Sequence, residues 1–263
     1  MNTQARLTTL TRVGFATRGL LYLVIAFLVV RAGRAEDPSG ALRYLGQGGG
    51  KVLLIIMTTG LLAYSLWRLS DAAFNIERHA ADRKGAMERV GAAASGVVHL
   101  LLAWQAIRLL RGAASAGDGT REGARTALQL PAGGTLIVVA GLILISVGVI
   151  QLIKAIKGTF LRHLDPQVAQ RVWAQWSGRA GYAARGLVFL ISGYSLLKAG
   201  FHEKADEAGG TAQALSWLSS PMDTVVAVGL FAFGLFSLIE ARFRILHDVP
   251  VDKAARRAGI SRA

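Results

Sequence analysis

Six stretches of this chain, near residues 12–32, 51–71, 90–111, 133–154, 180–200 and 221–241, are almost wholly apolar. Each spans about 20 residues, which as helix, at about 1.5 Å of rise per residue, crosses the roughly 30 Å hydrocarbon core of a bilayer. Inside hydrocarbon a segment must satisfy its own backbone hydrogen bonds, and a helix does so without help from its neighbours. The chain is therefore read as all-α, a polytopic membrane protein with six transmembrane helices. Its composition agrees: 52% of the 263 residues are hydrophobic and 17% charged, too apolar a balance for a soluble domain of this length. The first stretch runs into Arg31 and Arg34 without a small-residue cleavage site, so it is expected to stay as a span.

The charge is basic, +14, and it is confined to short segments between apolar runs. Of the 30 Lys and Arg, 20 lie before or at Arg18, in the second and fourth loops, or from Arg242 onward, and the alternate loops hold 10. Because basic residues in short loops are retained in the cytoplasm, both termini are expected inside. The carboxylates split evenly, 8 and 8, so the bias is specifically basic. A nucleic-acid partner is not expected, since its basic residues would line one folded face. The partners this layout implies are membrane lipids, including anionic headgroups, and a second membrane protein.

Self-comparison sharpens the fold. Arg12-Val13-Gly14-Phe15-Ala16-Thr17-Arg18-Gly19 aligns with Arg89-Val90-Gly91-Ala92-Ala93-Ala94-Ser95-Gly96 and with Arg179-Ala180-Gly181-Tyr182-Ala183-Ala184-Arg185-Gly186. In each copy twelve uncharged residues, counted from the final Gly, precede a base: Arg31, Arg108 or Lys198. The second helices align as well, with 65–72 matching 148–155 and 234–241. The reading is three helical-hairpin repeats, 1–88, 89–172 and 173–245, followed by a basic cytoplasmic tail, 246–263. All three hairpins point the same way, and a pseudo-threefold axis along the membrane normal is the natural packing. Before each second helix lies a short amphipathic stretch, 41–45, 124–130 and 211–218, expected at the outer interface with Tyr44 and Trp217 at headgroup level.

The recurring R-x-G-x-x-x-[RS]-G opening, the Ala-Leu-containing outer segment and the glycine-containing second helix resemble the bacterial membrane family catalogued as domain of unknown function 1206, in which such a hairpin occurs three times. The resemblance covers nearly the whole chain. It implies an integral protein of the bacterial plasma (inner) membrane and brings no activity, substrate or site residues with it. Repeat 2 departs from the pattern at Ser95, where the others have Arg.

The odd helices carry a length problem. Gly19 to Val30 makes only about 18 Å of helix, so the span must take in Arg18 or Arg31, and the same holds for 186–197 between Arg185 and Lys198. Charge inside a bilayer needs partners or water. In antiparallel hairpins Arg18 shares a level with Asp71, Arg185 with Glu240, and Ser95 with Lys154. Ser95 then looks like compensation for Lys154, keeping two cations out of one hairpin; alternatively Lys154 bridges to Asp71 or Glu240 across repeats. Helical spacing adds Tyr22 four residues after Arg18, His99 four after Ser95, and Arg68, Gln151 and Ser237 three before Asp71, Lys154 and Glu240. The candidate intramembrane layer is thus Arg18, Tyr22, Arg68, Asp71, Ser95, His99, Gln151, Lys154, Arg185 and Glu240. Counting Arg18, Arg68, Lys154 and Arg185 against Asp71 and Glu240 gives it a net charge of +2, which favours an anionic ligand or headgroup. The plainer alternative is that these charges only fix helix register. Arg12, Arg89 and Arg179, one per repeat, read as interfacial anchors, and Gly91 with Ser95 and Ala92 with Gly96 read as close-packing faces.

No catalytic residue, cofactor or metal ligand set is assigned. Cysteine is absent, the histidines other than His99 fall outside the spans, and no phosphate loop, H-E-x-x-H or G-x-S-x-G occurs. Two functions remain: a non-enzymatic packed scaffold, lipid-binding module or accessory subunit, or a carrier or channel for a small anionic solute using the charged layer. The long apolar runs of the even helices lean toward the first.

Overall fold

The computed structural model describes residues 3–32, 38–46, 50–76, 80–112, 119–218 and 221–245. The basic tail at 246–263 lies outside the described residues, as does Arg34. Among the described residues ten α-helices follow one another: α1 Thr3–Ala32, α2 Pro38–Gly46, α3 Lys51–Phe74, α4 Arg83–Leu110, α5 Gly119–Leu128, α6 Gly133–Lys157, α7 Pro166–Ala169, α8 Val172–His202, α9 Thr211–Ser216 and α10 Met222–Phe243. Six of them, α1, α3, α4, α6, α8 and α10, are long and apolar enough to cross a membrane. The described residues contain no strand, only an isolated bridge between Leu164 and Arg244.

Local chemistry sets the helix ends. Asp82 starts α4 by accepting a hydrogen bond from the Gly85 amide at 2.8 Å. Left-handed residues stop α3 at Asn75, α6 at Gly158 and α8 at Glu203. Helix α8 begins at Val172, earlier than the apolar stretch at 180–200 implies. Its added turns carry the exposed Trp173 and Trp176, which suit a membrane interface.

The helices alternate in direction. The start of α1 and the end of α10 lie on one face, the terminal face, and the short helices α2, α5 and α9 lie on the other. The most extensive contacts are not the hairpins expected from the repeats. Helix α1 packs on α10, α3 on α4, and α6 on α8, so each odd span lies against the even span of another repeat. Helices α1 and α3, and α8 and α10, also touch, whereas α4 and α6, the two spans of repeat 2, share no packed interface. The order is therefore an arc, α4–α3–α1–α10–α8–α6. Its end helices are the least covered, 28% buried for α4 and 22% for α6 against 56% for α1.

Two of the short helices, α2 and α9, depart from expectation too, while α5 buries only Ala124. Ala41, Leu42 and Leu45 of α2 and Ala214 and Leu215 of α9 are buried, and they join Leu28, Leu54, Met57, Leu61 and Leu230 in one core cluster. They plug the bundle instead of lying on its surface, while Tyr44 and Trp217 stay exposed. Polar side chains gather toward the terminal face.

Candidate functional site

Three interfaces repeat the same contact at aligned positions. A Cβ on Gly19 would stand 2.8 Å from the Gly234 carbonyl oxygen, and one on Gly186 would stand 3.0 Å from that of Gly148. In the third interface Ser65 takes the place of the even-helix glycine, and its hydroxyl donates to the Gly96 carbonyl at 2.8 Å. Small residues let these backbones approach, as in membrane helix pairs generally. The α6–α8 contact extends further, with Gly141 on Gly193 and Gly134 on Gly200. That seven-residue glycine spacing on both helices was the sequence signal for cross-repeat pairing. Ala92 and Gly96 do face a neighbour, but a Cβ on Gly91 meets nothing within 4 Å, so the Gly91–Ser95 face is not a packing face.

Arginines repeat this geometry. Arg89 donates to the Ala72 carbonyl at 2.9 Å and the Ala73 carbonyl at 3.2 Å, which end α3. Arg179 donates to the carbonyls of Ile156 at 2.8 Å and Ala155 at 3.3 Å, which end α6. Both satisfy terminal carbonyls of a neighbouring repeat's helix, a use the spacing alone did not reveal. Arg12 is exposed.

One level deeper the three interfaces diverge in charge. In α1–α10, Arg18 pairs with Glu240 in the bundle interior. Its Nε donates to the Ser237 hydroxyl at 3.1 Å, and Nη1 reaches the Tyr64 hydroxyl at 3.4 Å. The guanidinium also lies 4.6 Å from the Phe15 ring centre and 5.0 Å from that of Phe233. The other oxygen of Glu240 accepts from Arg244 at 2.8 Å. Glu240 thus serves two arginines, and the partner expected for Arg18, Asp71, is engaged elsewhere. Asp71 is fully buried and pairs with Arg68 on its own helix at 3.6 Å. In α3–α4 the aligned positions are Asp71 and Ser95.

In α6–α8 the aligned positions are Lys154 and Arg185, two cations. Both flank one close contact: a Cβ on Gly186 would stand 2.9 Å from the Leu152 side chain, with Arg185 one residue before that glycine and Lys154 two residues after that leucine. Among the described residues neither has an ion pair, so the bridge from Lys154 to Asp71 or Glu240 does not form, nor does an Arg185–Glu240 pair. Arg185 is held by aromatic faces: its guanidinium is 4.7 Å from the Phe189 ring centre, 4.9 Å from Phe233 and 5.7 Å from Tyr22. Tyr22 therefore serves Arg185 of another repeat although it shares a helix with Arg18. The compensation read between Ser95 and Lys154 has no physical basis, because α4 and α6 are not packed together.

Gln151 sits beside this pair on α6, 7% exposed. Its amide oxygen and the Nε of Arg185 are buried without a hydrogen-bond partner among the described residues. These groups align with Ser237 and Arg18, which bond to one another. His99 is accounted for by structure: its Nδ1 lies 2.7 Å from the Ser95 carbonyl, and its ring packs on Tyr64 with centres 4.4 Å apart. A carbonyl only accepts, so Nδ1 carries the hydrogen. No group of three His, Cys, Asp or Glu converges among the described residues.

A membrane-embedded, helical, three-repeat protein with a polar layer near one face is the class these features define. The chain matches the family described as Domain of Unknown Function (DUF1206) at 13–75, 90–158 and 180–244, one match per repeat, and it belongs to that family. It is similar to "Uncharacterized protein YxxB" of Bacillus subtilis (strain 168), with 28% identity over 242 residues that cover 88% of each chain. No solved structure matches it.

Proposed function

We propose that this protein is a packed, non-enzymatic module of the bacterial inner membrane, with both termini in the cytoplasm, acting as a scaffold, lipid-binding or accessory unit. The observation that carries this reading is the plug at the short-helix face. Leu42, Leu54, Met57, Leu61, Leu215 and Leu230 are each at most 1% exposed, and a solute would have to displace close-packed aliphatic side chains to pass. The charge layer then works from the terminal face and the bilayer. Its orientation rests on the bias of 20 of the 30 basic residues toward that face.

The competing reading is a carrier for a small anion. It draws on Lys154 and Arg185, and it requires the plug to open. Because the chain has no cysteine, single cysteines report directly. Lys204→Cys should label with an impermeant thiol reagent in intact cells and Arg171→Cys only in inverted vesicles. Thr58→Cys and Ser192→Cys, at buried positions, should stay unlabelled until the protein is denatured. Labelling of both from the Lys204 side would replace the packed module with the carrier.

A further inference from the structure

The α6–α8 interface repeats the geometry of α1–α10 at Gly148 and Gly186 but carries a cation where α10 has its acid. A pair of cations at a protein interface is costly to hold together unless an anion joins them. Three observations say what kind of anion. First, the donors on offer are an ammonium and a guanidinium, the usual partners of phosphate oxygens. The neighbouring Gln151 is buried, and its amide can turn either NH₂ or oxygen toward a ligand. Second, Lys154 lies in the last turn of α6, about 4.5 Å of helix rise from its end, so a span that ends with α6 brings it to headgroup level. Third, α6 ends the arc, and its outer side shows Leu142, Ile143, Val149, Ile150 and Ile153 exposed, so a lipid can reach Lys154 sideways without crossing the plug.

We infer that Lys154, Arg185 and Gln151 form a binding site for the phosphate of an anionic phospholipid in the leaflet at the terminal face. This deepens the lipid-binding part of the proposed function and rests on it. The phosphate takes the position of the missing acid and joins α6 to α8. Its acyl chains lie against the apolar outer side of α6, beside the unpacked side of α4.

The test uses the full chain in phosphatidylcholine-containing micelles, with phosphatidylglycerol added and bound lipid read by native mass spectrometry together with the unfolding temperature. The wild type should retain phosphatidylglycerol and unfold at a higher temperature when it is present. Lys154→Glu and Arg185→Gln should each weaken that binding by about tenfold or more, the loss of a charge-assisted contact. The exposed Lys157→Gln should keep it. Lys154→Glu should also raise the unfolding temperature in pure phosphatidylcholine, because it recreates the Arg18–Glu240 arrangement, and that gain separates a lost site from a damaged fold.

Undiminished phosphatidylglycerol binding in both variants overturns the site. If inorganic phosphate matches the lipid's effect and displaces it, the lipid assignment is overturned and the site belongs to a soluble anion. Failure of the packed-module reading appears separately, as thiol labelling at Thr58→Cys and Ser192→Cys.

Discussion

Arg18 and Glu240 pair directly although 222 positions of sequence separate them. The first and last spans are joined by this contact, so the arc is closed at its middle by a charge pair that neither repeat makes within itself. With Arg244 on the second oxygen of Glu240, both oxygens of the acid are engaged, and the surrounding Phe15, Tyr64 and Phe233 shield Arg18.

Breaking that pair from one side leaves a buried charge without its partner. Arg18→Gln or Glu240→Gln should each cost about 3–5 kcal/mol, whereas the double change Arg18→Met with Glu240→Leu should recover part of the loss, the remainder being the Glu240 oxygen that Arg244 gives up. Unfolding midpoints of the four proteins in one detergent measure the coupling. Equal losses in the single and double variants would contradict it.

Glycines at the interfaces should differ sharply from the one in open space. Gly193→Ala would place a methyl group 2.9 Å from the Gly141 carbonyl oxygen, and the resulting displacement should cost about 1–3 kcal/mol. Gly91→Ala meets nothing within 4 Å and should be neutral or stabilising by about 0.5–1 kcal/mol, from helix propensity alone. Thermal unfolding of the two single variants tests the assignment of α6–α8 as the close-packed pair.

Arg89→Ala and Arg179→Ala each remove bonds to the last carbonyls of a neighbouring helix. A loss of about 1 kcal/mol apiece is expected, typical of a partly exposed hydrogen bond. Exposed Arg12→Ala should change stability by less than about 0.5 kcal/mol. Hydrogen exchange of the Ala72–Asn75 and Ala155–Gly158 amides would show whether the helix ends fray in the first two variants only.

At the short-helix face, outside the spans, desolvation works against the Glu207 carboxylate, yet the hydrogen bond from His202 at 2.7 Å and the charges of His202, Lys198 and Lys204 hold it below the usual carboxylate range. A lowered pKa means that its contribution is present above the ordinary carboxylate value and lost as pH falls through the lowered one. Acidification should therefore loosen the Ala205–Glu207 turn from the end of α8 while leaving the buried layer intact. Glu207→Gln should remove that pH dependence of amide exchange at Lys204 and Ala208, and an unchanged profile in the variant would count against the pairing.

Much of this architecture is legible in the residues. Bilayer thickness and backbone hydrogen bonding convert six apolar stretches into six spans, and the recurring arginine and glycine positions reveal three repeats. Those local requirements act within one segment, so no knowledge of its neighbours is needed. The candidate residues Arg18, Asp71, Lys154, Arg185 and Glu240 stand out in the sequence because charge is costly inside apolar runs.

Partner choice was not legible, because hairpin pairing and cross-repeat pairing place the same residues at the same depth. Only packing separates them. Gly186 and Gly193 fit against Gly148 and Gly141, while Gly91 fits against nothing, so α6 lies on α8 and not on α4. That contact sets Arg185 beside Lys154, and the matching fit of Gly19 on Gly234 moves Arg18 from Asp71 to Glu240. Sequence by itself determined which segments are helices and which of them carry charge; the tertiary structure decided which charges meet, because close approach of two helix backbones depends on the surfaces of both.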